Sequence, residues 1–156
     1  IARACAMQSH VTHHNPLSDA AVECVVKMIH LGLQGHDKNA MRCGPVEKLL
    51  QEYPRYDFNK KTRKNPSAYI VDTMKVVFQS FFSTSSFEEC LVDVVNRGGD
   101  ADTTGAIAGM IAGAHYGLNT LPAKWVSALN RDIYEKCRYQ ASVLVNWRVW
   151  PICEPG

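Results

Sequence analysis

Apolar side chains recur along this chain at spacings of three and four residues, and a period of two is nowhere sustained. That pattern predicts helices throughout. Its clearest stretch begins at Tyr69, where Tyr69, Ile70, Met74, Val77, Phe78, Phe81 and Phe82 share one side of a long helix ending near Ser83. Such a stripe must face a core. Upstream, Val22, Val25, Val26 and Ile29 repeat toward Gly32 and predict a helix over 19–31 with Ser18 as N-cap. Pro45 opens a short helix through Leu50. The polar stretch 53–66, with prolines near both ends, reads as a long connection.

Ser86 and Glu89 stand at capping-box spacing and predict a helix over 87–96. Gly98 and Gly99 end it. The next helix starts within 102–104 and runs to Tyr116, with Gly117 as its stop. Inside it Gly105, Gly109 and Gly113 recur every four residues. Each costs about 1 kcal/mol relative to Ala, so the smooth face they form is expected to admit another helix closely, making this helix central. Pro122 starts a segment through Asn130, and 133–147 forms a closing helix. The expected architecture is an all-α bundle without internal repeats.

With 156 residues, 46% of them hydrophobic and 21% charged, the chain can bury one core. A formal charge of +2 lacks the concentrated basic field of a nucleic-acid binder. The basic run 55–64 is interleaved with Asn and Asp and reads as a solvated loop. Its longest weakly polar stretch, 106–114, is too short to cross a bilayer. Ile at position 1, with no basic region followed by an apolar run, argues against a secretory leader. Cys5, Cys24, Cys43, Cys90, Cys137 and Cys153 are far apart, with no Cys-x-x-Cys pair, so buried free thiols and a reducing, cytoplasmic setting are expected. Trp125, Trp147 and Trp150 read as packing residues.

The chemistry concentrates in Asn96-Arg97-Gly98-Gly99-Asp100-Ala101-Asp102-Thr103-Thr104, between two helices. Adjacent glycines let the backbone turn sharply, so that Asp100 and Asp102 can point into one pocket with Thr103 as a neutral oxygen donor. An all-oxygen set suits Mg²⁺ or Mn²⁺. The plainer reading is that Asp102 or Thr103 caps the following helix. An EF-hand would need further acidic positions and a P-loop a Gly-Lys-Ser/Thr run, and neither is present.

The run from Asn96 to Gly109 resembles the C-terminal signature of the ADP-ribosylglycohydrolase family. Thr12-His13-His14-Asn15-Pro16-Leu17-Ser18-Asp19-Ala20-Ala21 and Ser67-Ala68-Tyr69-Ile70-Val71-Asp72-Thr73-Met74 look like segments of members acting on dinitrogenase reductase. The resemblance extends over about 2–147. It implies an all-α, ADP-ribosylglycohydrolase-like helical bundle and removal of ADP-ribose from an arginine of dinitrogenase reductase, using two Mn²⁺ or Mg²⁺ ions. By residue, it implies Asp100, Asp102 and Thr103 as metal ligands, with Asp102 bridging. His13, Tyr69, Gly98 and Gly99 fall to the substrate. Asn15 stands where the family often has a second His.

Family members are close to twice this length, and their first half carries a Thr-Asp-Asp-Thr type segment with the remaining metal ligands. Residues 1–156 contain no such segment and are expected to be the C-terminal part of a single helical domain, with the acid or base lying elsewhere, the alternative being a degenerate relative of the family. The family's nitrogen-control setting brings a PII-type regulatory partner, for which no residue of this chain argues.

Competing readings remain at this point. His13 precedes a helix, where a histidine often satisfies backbone groups, and Tyr69 begins an apolar stripe and would by default be core. His10, His13 and His14 could approach zinc but lack a fourth ligand nearby. A non-catalytic module binding ADP-ribose or a partner protein, and a purely structural bundle, are the alternatives to an enzyme.

Overall fold

The structure, a computed structural model, describes residues 1–12, 14–59 and 65–146. Those residues are predominantly helical, with no strand among them. They divide into two compact units, 1–121 and 122 onward.

In the first unit, α1 (Ala2–Ser9) leads into α2 (Pro16–Leu33). The helix starts earlier than its apolar pattern indicates. Asn15, not Ser18, is the N-cap: its side chain accepts from the Leu17 N–H at 2.9 Å, and Pro16 fits the first helical position, where no N–H is needed. After α3 (Lys38–Met41) the chain passes through a π-helical turn, Arg42–Val46, into α4 (Glu47–Glu52). Pro45 lies inside that turn. Without an N–H it cannot bond the carbonyl four residues back, and the chain widens around it. The supposed connection 53–66 is partly core: Pro54–Tyr56 forms a 3₁₀ turn, and Tyr56 and Phe58 are buried. Tyr56 donates to the Leu17 carbonyl at 2.8 Å, which satisfies its hydroxyl and pins the start of α2.

α5 (Ile70–Ser83), α6 (Phe87–Asn96) and α7 (Ala101–Tyr116) follow. α5 buries Met74, Val77, Phe78 and Phe81 as its pattern predicts. Its C-terminal end is closed by Lys38, whose ammonium donates to the carbonyls of Phe81 and Thr84 and lies 4.6 Å from the Phe81 ring centre. Ser86 caps α6 by accepting from the Glu89 N–H at 3.1 Å. The return bond reaches one residue further back, with Glu89 accepting from the N–H of Ser85 at 2.9 Å.

The small-residue face of α7 meets α6. A Cβ at Gly105, Gly109 or Gly113 would lie in van der Waals contact with Val95, Leu91 and Phe87 respectively, an order that makes the two helices antiparallel. Gly32 of α2 sits 3.0 Å, measured from its ideal Cβ position, from the backbone of Ala114. A Cβ there would press on the α7 backbone, so a larger residue requires the two helices to part by a few tenths of an ångström. Packed against α2, α5 and α6, α7 is central.

The second unit contains α8 (Ala123–Ala128), with Pro122 as N-cap, and α9 (Arg131–Asn146). Trp125, expected to pack, is 40% exposed, and Trp147 and Trp150 lie outside the described residues. Cys5, Cys24 and Cys90 are buried free thiols, as expected, and burial pushes the Cys24 thiol up to about 12. Cys43 and Cys137 are free but exposed, contrary to expectation, and Cys153 lies outside the described residues.

Candidate active site

The turn between α6 and α7 is set by backbone geometry. Gly98 and Gly99 have φ of 73° and 66°, a region L-residues rarely enter. Each also lies against a neighbouring segment: a Cβ at Gly98 would fall 2.4 Å from the Asn65 amide oxygen, and one at Gly99 2.1 Å from the Pro66 carbonyl oxygen. Two backbone hydrogen bonds lock the segments together. The Asn65 N–H donates to the Arg97 carbonyl at 2.8 Å, and the Asp100 N–H to that of Pro66 at 3.3 Å. Neither Asn65 nor Pro66 stood out in the sequence. The available signal was an Asn-Pro pair, and Asn65 takes a positive φ of 55°.

Asp100 is the N-cap of α7, but its side chain makes no capping bond. Thr104 ties the turn instead, donating through N–H and hydroxyl to the Asp100 carbonyl at 3.0 and 2.7 Å. Asp102 and Thr103 are exposed. The Asp102 carboxyl is held below the usual carboxylate range first by the Thr103 backbone N–H, then by the neighbouring Asp100 carboxyl and its own N–H. The helix starts at Ala101, one residue before the expected 102–104, so Asp100 and not Asp102 or Thr103 stands at the cap position. Two carboxylates and a hydroxyl within one turn of a helix start are the oxygen donors a hard cation takes. Among the described residues no three His, Cys, Asp or Glu side chains gather into a metal-binding group.

Tyr69 is the N-cap residue of α5 and is 48% exposed, so it is not core. Its N–H donates to the Ser67 hydroxyl at 3.3 Å, and that hydroxyl donates to Asp72 at 3.0 Å. Chain length keeps Tyr69 within about 11 Å of Pro66, and hence close to the turn. His13 lies outside the described residues. Around it, the His10 and His14 rings stack at 3.8 Å, and His10 Nε2 lies 2.8 Å from Asp19. The Ser9 hydroxyl also donates to Asp19, at 2.7 Å, and with His10 lowers its pKa.

Helix directions bring these pieces to one end. α6 runs antiparallel to both neighbours, which makes α5 and α7 parallel. α2 and α7 meet with their C-terminal ends together, at Gly32 and Ala114. The N-termini of α2, α5 and α7 therefore share an end of the first unit. They bring Asn15, Tyr69 and Asp100–Thr103 there, with positive dipole ends suited to an anion.

Residues 1–150 match the sequence profile of the ADP-ribosylglycohydrolase family. The chain belongs to that family. It is 41% identical, over 88% of its length, to an ADP-ribosyl-[dinitrogen reductase] glycohydrolase of Rhodospirillum rubrum, of which it covers 46%. An ADP-ribosylarginine hydrolase Tri1 of Pseudomonas putida (strain GB-1) is 32% identical over 76% of the chain, which covers 33% of that protein. A solved structure titled "ADP-ribosylglycohydrolase-related protein complex" superposes with a TM-score of 0.76 at 30% identity, covering 85% of this chain and 48% of that one. The chain spans half or less of the length of these relatives. Among the described residues no helix is long and apolar enough to cross a membrane.

Proposed function

We propose that the protein carrying this chain is an ADP-ribosyl-arginine N-glycosidase, which cleaves the bond between the anomeric carbon of ADP-ribose and a guanidinium nitrogen of a target protein. The observation that carries this reading is that three helix N-termini share one end of the first unit, one of them bearing the paired carboxylates Asp100 and Asp102. Dinitrogenase reductase is our choice of target, because a 41% identical relative is named for it. A cytoplasmic location follows from that choice. Residues 1–156 are read as the C-terminal part of one family domain.

Cleavage builds positive charge on the ribose and requires an oriented sugar and a water that loses its proton. Asp100, Asp102 and Thr103 would hold two Mn²⁺ or Mg²⁺ ions from one side. Bound there, the ions supply orientation of the ribose hydroxyls and activation of water. The positive dipole ends of the three helix starts receive the diphosphate, and the Gly98–Gly99 turn, packed on 65–66, borders the substrate. Tyr69 and His13 border the sugar and its base. No acid or base is assigned within this chain.

The test is release of ADP-ribose from ADP-ribosyl-arginine by the native protein, with Mn²⁺, Mg²⁺ or a chelator. Turnover is expected only with metal. Asp102→Ala should cut it by at least about a thousandfold, equivalent to roughly 4 kcal/mol of barrier. Near-normal turnover in that variant removes the loop from the mechanism. Binding of ADP-ribose without hydrolysis, metal present, makes the protein a non-catalytic module instead.

A further inference from the structure

Arg97 faces two ways. Its carbonyl belongs to the candidate site's turn, whereas its guanidinium walls an open groove of about 330 Å³ lined also by Arg42, Phe58, Gln79, Phe82 and Ser83. The groove is held in shape. Arg97 donates to Asp93 at 2.6 and 3.0 Å and to Gln79 at 2.8 Å, and Gln79 donates onward to the Phe58 carbonyl at 2.5 Å. Across from it, the Arg42 guanidinium lies 5.2 Å from the Phe58 ring centre and 5.7 Å from that of Phe82. Asn59 accepts from Arg42 at 3.3 Å.

The two cations differ in their charge balance. Asp93 neutralises Arg97, but among the described residues no carboxylate lies within the 4.0 Å of an ion pair from Arg42. Arg42 is exposed and opens the π-helical turn, a distortion that tends to occur at functional positions. Its rings underneath take up a guanidinium face, and the in-plane fork of N–H donors is what grips a carboxylate.

We propose that this groove receives an acidic side chain of the target protein, flanking the modified arginine, so that Arg42 selects among target sites. The inference rests on the activity proposed above. Small-molecule sites enclose most of their ligand, whereas an open groove admits a side chain from a polypeptide crossing it. Arg42 lies over Phe82, twelve residues along α5 from Ile70 and so about 18 Å of helix from the end that bears Tyr69. An extended peptide spans that in about five or six residues, which sets the carboxylate's distance from the arginine.

The experiment uses the native protein and peptides carrying ADP-ribosyl-arginine, identical except for Glu or Gln at each position three to eight residues from the arginine. One Glu peptide is expected to be preferred by roughly tenfold, through KM with kcat unchanged. Arg42→Gln should erase the preference by raising KM for that peptide. Arg42→Glu should transfer it to the matching Lys peptide, an exchange that a merely structural arginine does not produce. Equal KM for Glu and Gln at every position, or equal losses on both in Arg42→Gln, would overturn the proposal. Titration of the unmodified peptides separates the two readings. A Glu preference in a protein that never hydrolyses leaves the groove standing and removes the activity, whereas equal affinities beside normal turnover do the reverse.

Discussion

Along α5 the backbone is ordinary and the side chains do the holding: Met74, Val77, Phe78 and Phe81 are fully buried, and Phe78 meets Phe58 at 5.3 Å between ring centres. At the Gly98–Gly99 turn the side chains are absent and the backbone does the holding, through two positive φ angles and paired hydrogen bonds to 65–66. A core helix tolerates similar apolar side chains because burial is roughly proportional to area and has no direction. A turn in which a Cβ would strike a carbonyl oxygen tolerates almost nothing. The chain spends its packing on stability and its backbone geometry on the site.

Substitutions in the two regions should therefore fail in different ways. The largest effect on stability is expected from Phe78→Ala, at about 4 kcal/mol by denaturant unfolding, from lost burial and an unfilled cavity. Protein that remains folded should keep its divalent-ion affinity. Gly99→Ala should cost less, about 2–3 kcal/mol from left-handed strain and collision with Pro66, yet should weaken Mn²⁺ binding measured by titration. If Gly99→Ala leaves ion binding intact, the turn does not position Asp100 and Asp102. Ser86→Ala lies outside both regions and removes one cap, for about 1 kcal/mol, with no effect on ion binding.

The smallest effect concerns Glu89, whose carboxyl is lowered by the Ser85 N–H and hydroxyl and then by Ser86. A carboxylate lowered by folding stabilises the protein above its unfolded pKa of about 4.3. That contribution disappears as pH falls through the lower folded-state value. The acid side of the stability curve should flatten slightly in Glu89→Gln. An unchanged curve removes the Ser85 contact.

The helices were legible wherever their cause was local. Periodicity is a property of neighbouring residues, so α5 and α6 lie where their apolar stripe and Ser86 cap place them. Errors arose where a local cue competed with another. Ser18 yielded the cap of α2 to Asn15, because Asn15-Pro16 provides both an acceptor and a first residue that needs no N–H. Tyr56 and Phe58 looked like parts of a polar connection because their partners, Leu17, Phe78 and Phe82, are distant in sequence.

The sequence by itself determined the helical class and the family signature, since each depends on residue type and spacing along the chain. Only the tertiary structure decided that 65–66 would brace the Gly98–Gly99 turn, that Tyr69 would stand exposed and that three helix starts would share an end. Those outcomes depend on contacts between segments far apart in the chain, through backbone groups every residue carries. Composition and periodicity leave no mark of such contacts.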